Sequence, residues 1–322
     1  MPKEPSAVPA QSPGELAHSV LEGLRKPEKE LSPVWFYDER GSSLFDRICE
    51  LPEYYLTRTE IAIMREHAAE MAQHIGRGAA IIELGSGTSL KTRLLLDEIA
   101  MPATYVPVDI AREHLLDAAR AIARDYPELR VIPVCANFAQ PFELPAEVAD
   151  ADRRVVFFPG STIGNFETDE AKALLRRIRT LIGRHGKLLI GIDLRKDPRV
   201  LHRAYNDSAG VTAEFNLNAL RHLNRKLHTD FDLDAFEHAA VWVEDMSRIE
   251  MHLISKQDQR VHIGDEEVTI KRGEHIRTEC SHKYTLESFA ELAAEADLRV
   301  ARVWMDPERQ FSVQLLEPRV LQ

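Results

Sequence analysis

The chain has 322 residues, 44% of them apolar and 29% charged, with a formal net charge of −11. This composition belongs to a folded globular protein of one large or two moderate domains. No Lys/Arg block stands out, which argues against nucleic-acid or anionic-membrane partners, and no apolar run is long enough to span a bilayer.

Cys49, Cys135 and Cys280 are scattered, without a C-x-x-C pair. Neither a zinc ribbon nor a redox motif is therefore expected, and the reducing cytoplasm is the expected location. The thirteen histidines show no H-E-x-x-H or similar ligand spacing, so no metal is expected.

In chain order, Met1–Gly14 is rich in Pro, Ser and Ala and has no apolar h-region. It reads as a disordered tail, not a signal peptide. Gly14–Ala72 reads as mostly helical with aromatic punctuation. From Ala79, strands and helices alternate. Strands are expected at Ala79–Leu84, Thr104–Val108, Arg130–Cys135, Arg154–Phe158 and Lys187–Leu194. Helices are expected at Lys91–Glu98, Arg112–Asp125 and Asp169–Ile182. This order predicts a parallel sheet covered on both faces. Near Asp197 the rhythm changes. Two helices, Pro198–Tyr205 and Thr212–Leu227, precede two β-rich pieces, Ala239–Ser255 and Val261–Thr278. A helix at Leu286–Ala296 and strands at Arg299–Trp304 and Phe311–Leu316 then suggest an antiparallel edge hairpin.

The predicted fold class is α/β, a Rossmann-like class I methyltransferase layout. It has a seven-stranded, mostly parallel sheet with helices on both faces, and an α+β insert. The division is a tail at 1–14, an N-terminal helical segment at 15–60 packing with the insert, a core at 61–196 and 282–322, and a substrate-binding insert at 197–281.

The core opens on Ile81-Ile82-Glu83-Leu84-Gly85-Ser86-Gly87-Thr88-Ser89-Leu90-Lys91. Strand, glycine turn and helix open a nucleotide pocket at the carboxyl ends of an α/β sheet. Glycines let backbone amides approach a ligand that a Cβ would push away. Position 90 is Leu, so the third glycine of a dinucleotide fingerprint is missing. A smaller adenosine cofactor such as S-adenosylmethionine fits this turn better than a dinucleotide.

Asp109 ends the second strand, where a carboxylate can accept both ribose hydroxyls; the alternative is a helix cap. Asn137 and Phe138 follow the third strand. They suit either an adenine edge and face or a turn with a core ring. Lys91 suits a cofactor carboxylate or plain solvent. Gly160 to Asn165 follow the fourth strand and read as a substrate-facing loop. Trp35, Phe36, Tyr37, Tyr54 and Tyr55 suit either a cation-binding aromatic cluster or a hydrophobic latch. Glu279 and Ser281 share one side of an extended segment, where together they can bracket a ring with two nitrogens.

Taken together, the chain resembles the S-adenosylmethionine-dependent histidine Nα-methyltransferases of ergothioneine biosynthesis. The resemblance rests on Trp35-Phe36-Tyr37-Asp38, Leu51-Pro52-Glu53-Tyr54-Tyr55, Thr57-Arg58-Thr59-Glu60, Glu83 to Ser89, Gly160 to Asn165, Asp230 to His238, Arg248 to Met251, and Thr278-Glu279 with Ser281. It implies S-adenosylmethionine as cofactor, L-histidine as substrate, and three methyl transfers giving hercynine. It places Tyr37, Gly85, Lys91, Asp109, Asn137, Phe138 and Gly160 at the cofactor. It places Tyr54, Asn165 and Tyr205 at the histidine backbone, Glu279 and Ser281 at the imidazole, and Met251 on the pocket wall. Tyr37 and Asn165 take the catalytic positions, with a monomer expected. Asn137 departs from the family's usual Asp, and Leu90 from a more polar residue. The rival readings are a methyltransferase for another amino acid or small amine, and a non-catalytic S-adenosylmethionine-binding regulatory module.

Overall fold

A computed structural model of the chain describes residues 12–87, 90–101, 104–149, 151 and 153–319. Most of the tail expected at 1–14 lies outside these residues. Its end does not behave as a tail, because a helix spans Pro13–Leu24. Pro13 suits the first helical position, and Ser12 and Glu15 form a reciprocal capping box.

The chain divides into two compact units. One contains Leu56–Arg195 and His282–Gln322, the other Pro9–Tyr55 and Lys196–Ser281. The sequence places the first division after residue 60, whereas here it falls after Tyr55. The reason is that Tyr55–Ile75 is one continuous helix, which buries Ile63, Met64 and Met71.

The first unit holds a single sheet. Its spatial order is Leu298–Met305, Phe311–Pro318, Lys187–Asp193, Arg154–Phe158, Ala80–Leu84, Thr104–Asp109 and Arg130–Val131. Ala80–Leu84 lies parallel to both its neighbours, and Arg154–Phe158 lies parallel to Lys187–Asp193. Phe311–Pro318 runs antiparallel to Lys187–Asp193 and to Leu298–Met305, giving the expected edge hairpin. The strand expected over Arg130–Cys135 is broken. Arg130–Val131 and Val134–Cys135 each pair with Thr104–Asp109. Between them Pro133 has no N–H to give the ladder. The sheet therefore has eight strand segments in seven positions, not seven strands.

Both faces of this sheet are covered. Ile82, Val106, Val156 and Leu188 share a core with Leu174, Leu175 and Ile178 of the helix Thr168–Ile182. The alternate residues Ile81, Tyr105, Val155, Phe157 and Leu189 are also fully buried. Such two-sided burial explains why the strands read as unbroken apolar runs.

The second unit has a four-stranded sheet in the order Lys29–Glu30, His275–His282, Arg248–Ser255, Phe236–Val243, the last two forming an antiparallel hairpin at one edge. A separate hairpin pairs Gln259–Ile263 with Glu266–Ile270 across Gly264-Asp265. Helices Glu39–Glu50, Pro198–Tyr205 and Val211–Leu227 accompany these strands. Trp35 and Phe36 are buried, with Phe36 stacked 4.6 Å from Phe215 of the last helix. The Trp35 carbonyl also accepts from His222 of that helix at 3.0 Å. This is the latch reading of the aromatic run for these two residues.

Candidate active site

Gly85 leaves the first core strand with φ +74°, and its N–H donates to the Val108 carbonyl at 2.8 Å. A Cβ at Gly85 would meet only the Phe138 ring edge, at 3.7 Å. The side-chain face of the turn is thus open space. Ser86 Oγ beside it is buried and has no hydrogen-bond partner among the described residues. A positive-φ turn with an orphaned hydroxyl is what a bound polar ligand would complete, so the residues present fit an adenosine cofactor.

Asp109 stands at the carboxyl end of the neighbouring strand. Its Oδ1 accepts from the Ala111 N–H at 2.9 Å, an Asx turn ahead of the helix Arg112–Asp125, whose N-cap is Ala111 and carries no side-chain cap. Burial pushes its carboxyl up, against amide donors at Ala111, Gly87 and Ile110. Asp109 is therefore tied to the glycine turn itself, and it is not the helix cap of its alternative reading. Asn137 Oδ1 accepts from the Ala139 N–H at 3.0 Å, an Asx turn. Phe138 packs edge-on against Phe158 and Phe166, at 5.5 and 6.3 Å.

Lys91 is not a free surface cation. Its Nζ lies 2.5 Å from Glu60, whose side chain is fully buried. The same carboxylate accepts from the Gly160 N–H at 2.9 and 3.1 Å. Glu60 thereby joins the helix after the glycine turn to the loop after Arg154–Phe158. It can approach this closely because Gly191 has no side chain; a Cβ there would lie 2.1 Å from Glu60 Oε1. Glu83, just before the turn, accepts from the Tyr105 hydroxyl. Burial pushes its carboxyl up to about 7, against the Thr92 and Tyr105 hydroxyls and Lys91.

The loop from Gly160 onward carries local strain. Ser161 adopts the left-handed conformation, φ +58°, which is costly for a residue with a Cβ. Its Oγ accepts from the Asp193 N–H at 2.9 Å and holds it there. Asn165 closes the 3₁₀ turn Thr162–Asn165 and is half-buried. Asp193 also binds Lys283 at 2.7 Å, both side chains being fully buried.

A second group of predicted residues meets in the other unit. Tyr205 and Ser281 share a hydrogen bond of 2.8 Å between hydroxyls. The Tyr54 ring lies edge-on to Tyr205 at 6.2 Å and to Phe45 at 6.4 Å. Burial pushes the Tyr54 phenol well up, helped by Tyr205, Cys49, Glu279 and Tyr37 nearby. Glu279 is half-buried and Ser281 buried, two apart on the strand His275–His282. Met251 is buried, and its carbonyl is 3.0 Å from the Thr278 hydroxyl. Tyr37 belongs here too, with its ring 5.9 Å from Phe215 and 6.3 Å from Phe45.

The predicted residues thus form two clusters. Gly85, Lys91, Asp109, Asn137, Phe138, Gly160 and Asn165 lie in the sheet unit; Tyr37, Tyr54, Tyr205, Met251, Glu279 and Ser281 lie in the other.

The profile of the family described as "Histidine-specific methyltransferase, SAM-dependent" matches residues 16–318. The chain belongs to this family. It is 42% identical to a histidine N-alpha-methyltransferase of Mycolicibacterium smegmatis, over 93% of this chain and 94% of that one. It is 41% identical to the protein of the same name from Mycobacterium tuberculosis, with the same shares covered. An ergothioneine biosynthesis protein 1 of Neurospora crassa is 33% identical over 86% of this chain and 32% of its own length.

For a member of this methyltransferase family, Glu60 and Glu83 are the polar residues that sequence reading left without a role. Glu83 had a signal, a carboxylate inside a five-residue apolar strand. Glu60 had none, because a Glu early in a long helix looks like a solvated one. Among the described residues no group of three or more His, Cys, Asp or Glu side chains forms a metal site, and no helix is long and apolar enough to cross a membrane.

Proposed function

We propose that the chain transfers three methyl groups from S-adenosylmethionine to the α-amino group of L-histidine, giving hercynine in ergothioneine biosynthesis. The observation that carries this reading is the meeting of Tyr54, Tyr205, Glu279 and Ser281 in a member of a histidine-specific family.

When bound, S-adenosylmethionine supplies an electrophilic methyl on a sulfonium, so the protein's task is mainly to position the neutral amine. In this reading Gly85, Asp109, Asn137, Phe138, Lys91 and Gly160 hold the cofactor. Asp109 takes the ribose hydroxyls, and Glu60 keeps the Lys91 ammonium and the Gly160 amide in register. Tyr54 and Tyr205 hold the amino-acid backbone, and Met251 bounds the ring. Glu279 and Ser281 hydrogen-bond the two imidazole nitrogens. Buried groups that demand such partners reject analogues lacking them far better than an apolar slot does. Tyr54 is kept protonated by burial, so it orients and does not act as a phenolate base. Tyr37 lies beside it, on the path for protons leaving the amine. Near-attack positioning of this kind contributes up to roughly 7–11 kcal/mol in well-oriented reactions.

The same reading assigns no metal, a monomer and the cytoplasm, the last supported by three scattered cysteines without a C-x-x-C pair. The test is methyl transfer with histidine and its mono- and dimethylated forms, followed by mass spectrometry. Stepwise gain of three methyl groups is expected. Absence of product with histidine, or faster transfer to another amino acid, would overturn the assignment.

A further inference from the structure

Around Tyr205 and Ser281 runs a chain of buried and half-buried hydrogen bonds. His238 Nε2 is 2.9 Å from the Tyr205 carbonyl, and His238 Nδ1 is 2.9 Å from Asn216 Nδ2. Asn216 Nδ2 is also 3.0 Å from the His252 carbonyl. The Thr278 hydroxyl is 2.6 Å from Asn216 Oδ1 and 3.0 Å from the Met251 carbonyl. Asn216 and Thr278 are almost fully buried, at 0% and 1% exposure.

The polarity of these bonds is determined. A carbonyl oxygen only accepts, so His238 Nε2 carries the ring hydrogen and Asn216 turns its NH₂ toward His252. The second hydrogen of that NH₂ goes to His238 Nδ1, which must be bare. Asn216 Oδ1 is then the acceptor that Thr278 needs. Only the neutral Nε2–H tautomer of His238 completes the set, and burial favours the neutral ring.

The bonds end on pocket residues. One holds the backbone of Tyr205, the single Thr278 hydroxyl hydrogen lies between Asn216 Oδ1 and the Met251 carbonyl, nearer the first, and Thr278 precedes Glu279 and Ser281 on their strand. We propose that Thr278, Asn216 and His238 are positioning residues that fix the histidine pocket and set its selectivity. The proposal rests on the functional reading above.

The test is calorimetric binding of histidine, of phenylalanine and of S-adenosylhomocysteine to the full chain. The variants are Thr278→Val, His238→Leu and His238→Gln. Thr278→Val keeps the shape and removes the hydroxyl. We expect histidine affinity to fall about tenfold in Thr278→Val and His238→Leu. The preference for histidine over phenylalanine shrinks with it, and S-adenosylhomocysteine affinity stays within about twofold. His238→Gln keeps an N–H for the Tyr205 carbonyl and recovers most of the loss. Unchanged histidine affinity and selectivity would overturn the proposal. So would parallel loss of both ligands, or a Gln variant no better than Leu. If the wild-type chain binds no histidine, the functional reading falls together with the network; if it binds and the variants match it, only the network falls.

Discussion

Two regions of the molecule, one in each unit, hold their buried polar groups differently. At the glycine turn and the Ser161 loop of the sheet unit, buried charges stand in pairs, Lys91 with Glu60 and Lys283 with Asp193. Around Tyr205 in the other unit the groups are neutral and directional: hydroxyls of Tyr205, Ser281 and Thr278, the amide of Asn216 and the ring of His238. A buried charge pair fastens elements because each charge needs the other. A neutral network fastens less tightly and discriminates more, because each bond has one direction. The paired charges thus serve to hold shape, and the network around Tyr205 to recognise one.

The sharpest break of this contrast is Asp193→Asn. It leaves the Lys283 ammonium buried without its counter-charge, which costs about 3–5 kcal/mol. Urea unfolding should show the midpoint collapse at an unchanged slope. A loss under about 1 kcal/mol would mean that the charged pair holds nothing the neutral network could not.

Next in size is the pH dependence from Glu83. Its folded carboxyl titrates near 7, against 4.5 in an unfolded chain. Between those values the folded state keeps a proton that the unfolded state has released. The resulting stabilisation is full below about pH 4.5 and gone above about pH 7, on the order of 3 kcal/mol. Glu83→Gln has no charge to bury. The stability gap between variant and wild type should therefore widen in the variant's favour from pH 5 to pH 8. A gap that does not change with pH would mean that Glu83 is ionised in the fold throughout.

Ligand affinities sharpen the same contrast. Glu279→Ala removes a carboxylate partner from the proposed imidazole site. Histidine affinity should drop about ten- to a hundredfold while S-adenosylhomocysteine affinity holds. Asp109→Ala should do the reverse, by about tenfold. Calorimetry with both ligands on both variants separates the roles. Crossed effects would mean that each residue serves both ligands.

The fold was legible where burial is two-sided. Ala80–Leu84 and Arg154–Phe158 are short apolar runs because helices cover both faces, and such runs announce themselves. The break at Pro133 was also visible in principle, since proline cannot donate to a ladder, yet the apolar residues around it masked the gap. Gly85 and Asp109 were legible because their turn chemistry is local in sequence. The Lys91–Glu60 pair was not, because 31 positions separate its members and neither residue type signals burial. The Thr278–Asn216–His238 chain was hidden for the same reason. Its members come from three elements, and each alone reads as an ordinary surface polar residue.

The smallest effect is the most diagnostic. Tyr54→Phe keeps the ring, and with it the edge-on contacts to Tyr205 and Phe45. Only the hydroxyl goes, a neutral hydrogen bond of about 0.5–1.5 kcal/mol. Histidine affinity should therefore weaken at most about tenfold, and the pH profile of kcat should keep its shape. The profile matters because burial holds the Tyr54 phenol protonated across the working range, so it has no titration to contribute. If kcat instead falls by orders of magnitude and the profile loses a limb, Tyr54 exchanges protons during turnover. The second unit would then supply acid–base chemistry, and its neutral groups would do more than recognise a shape.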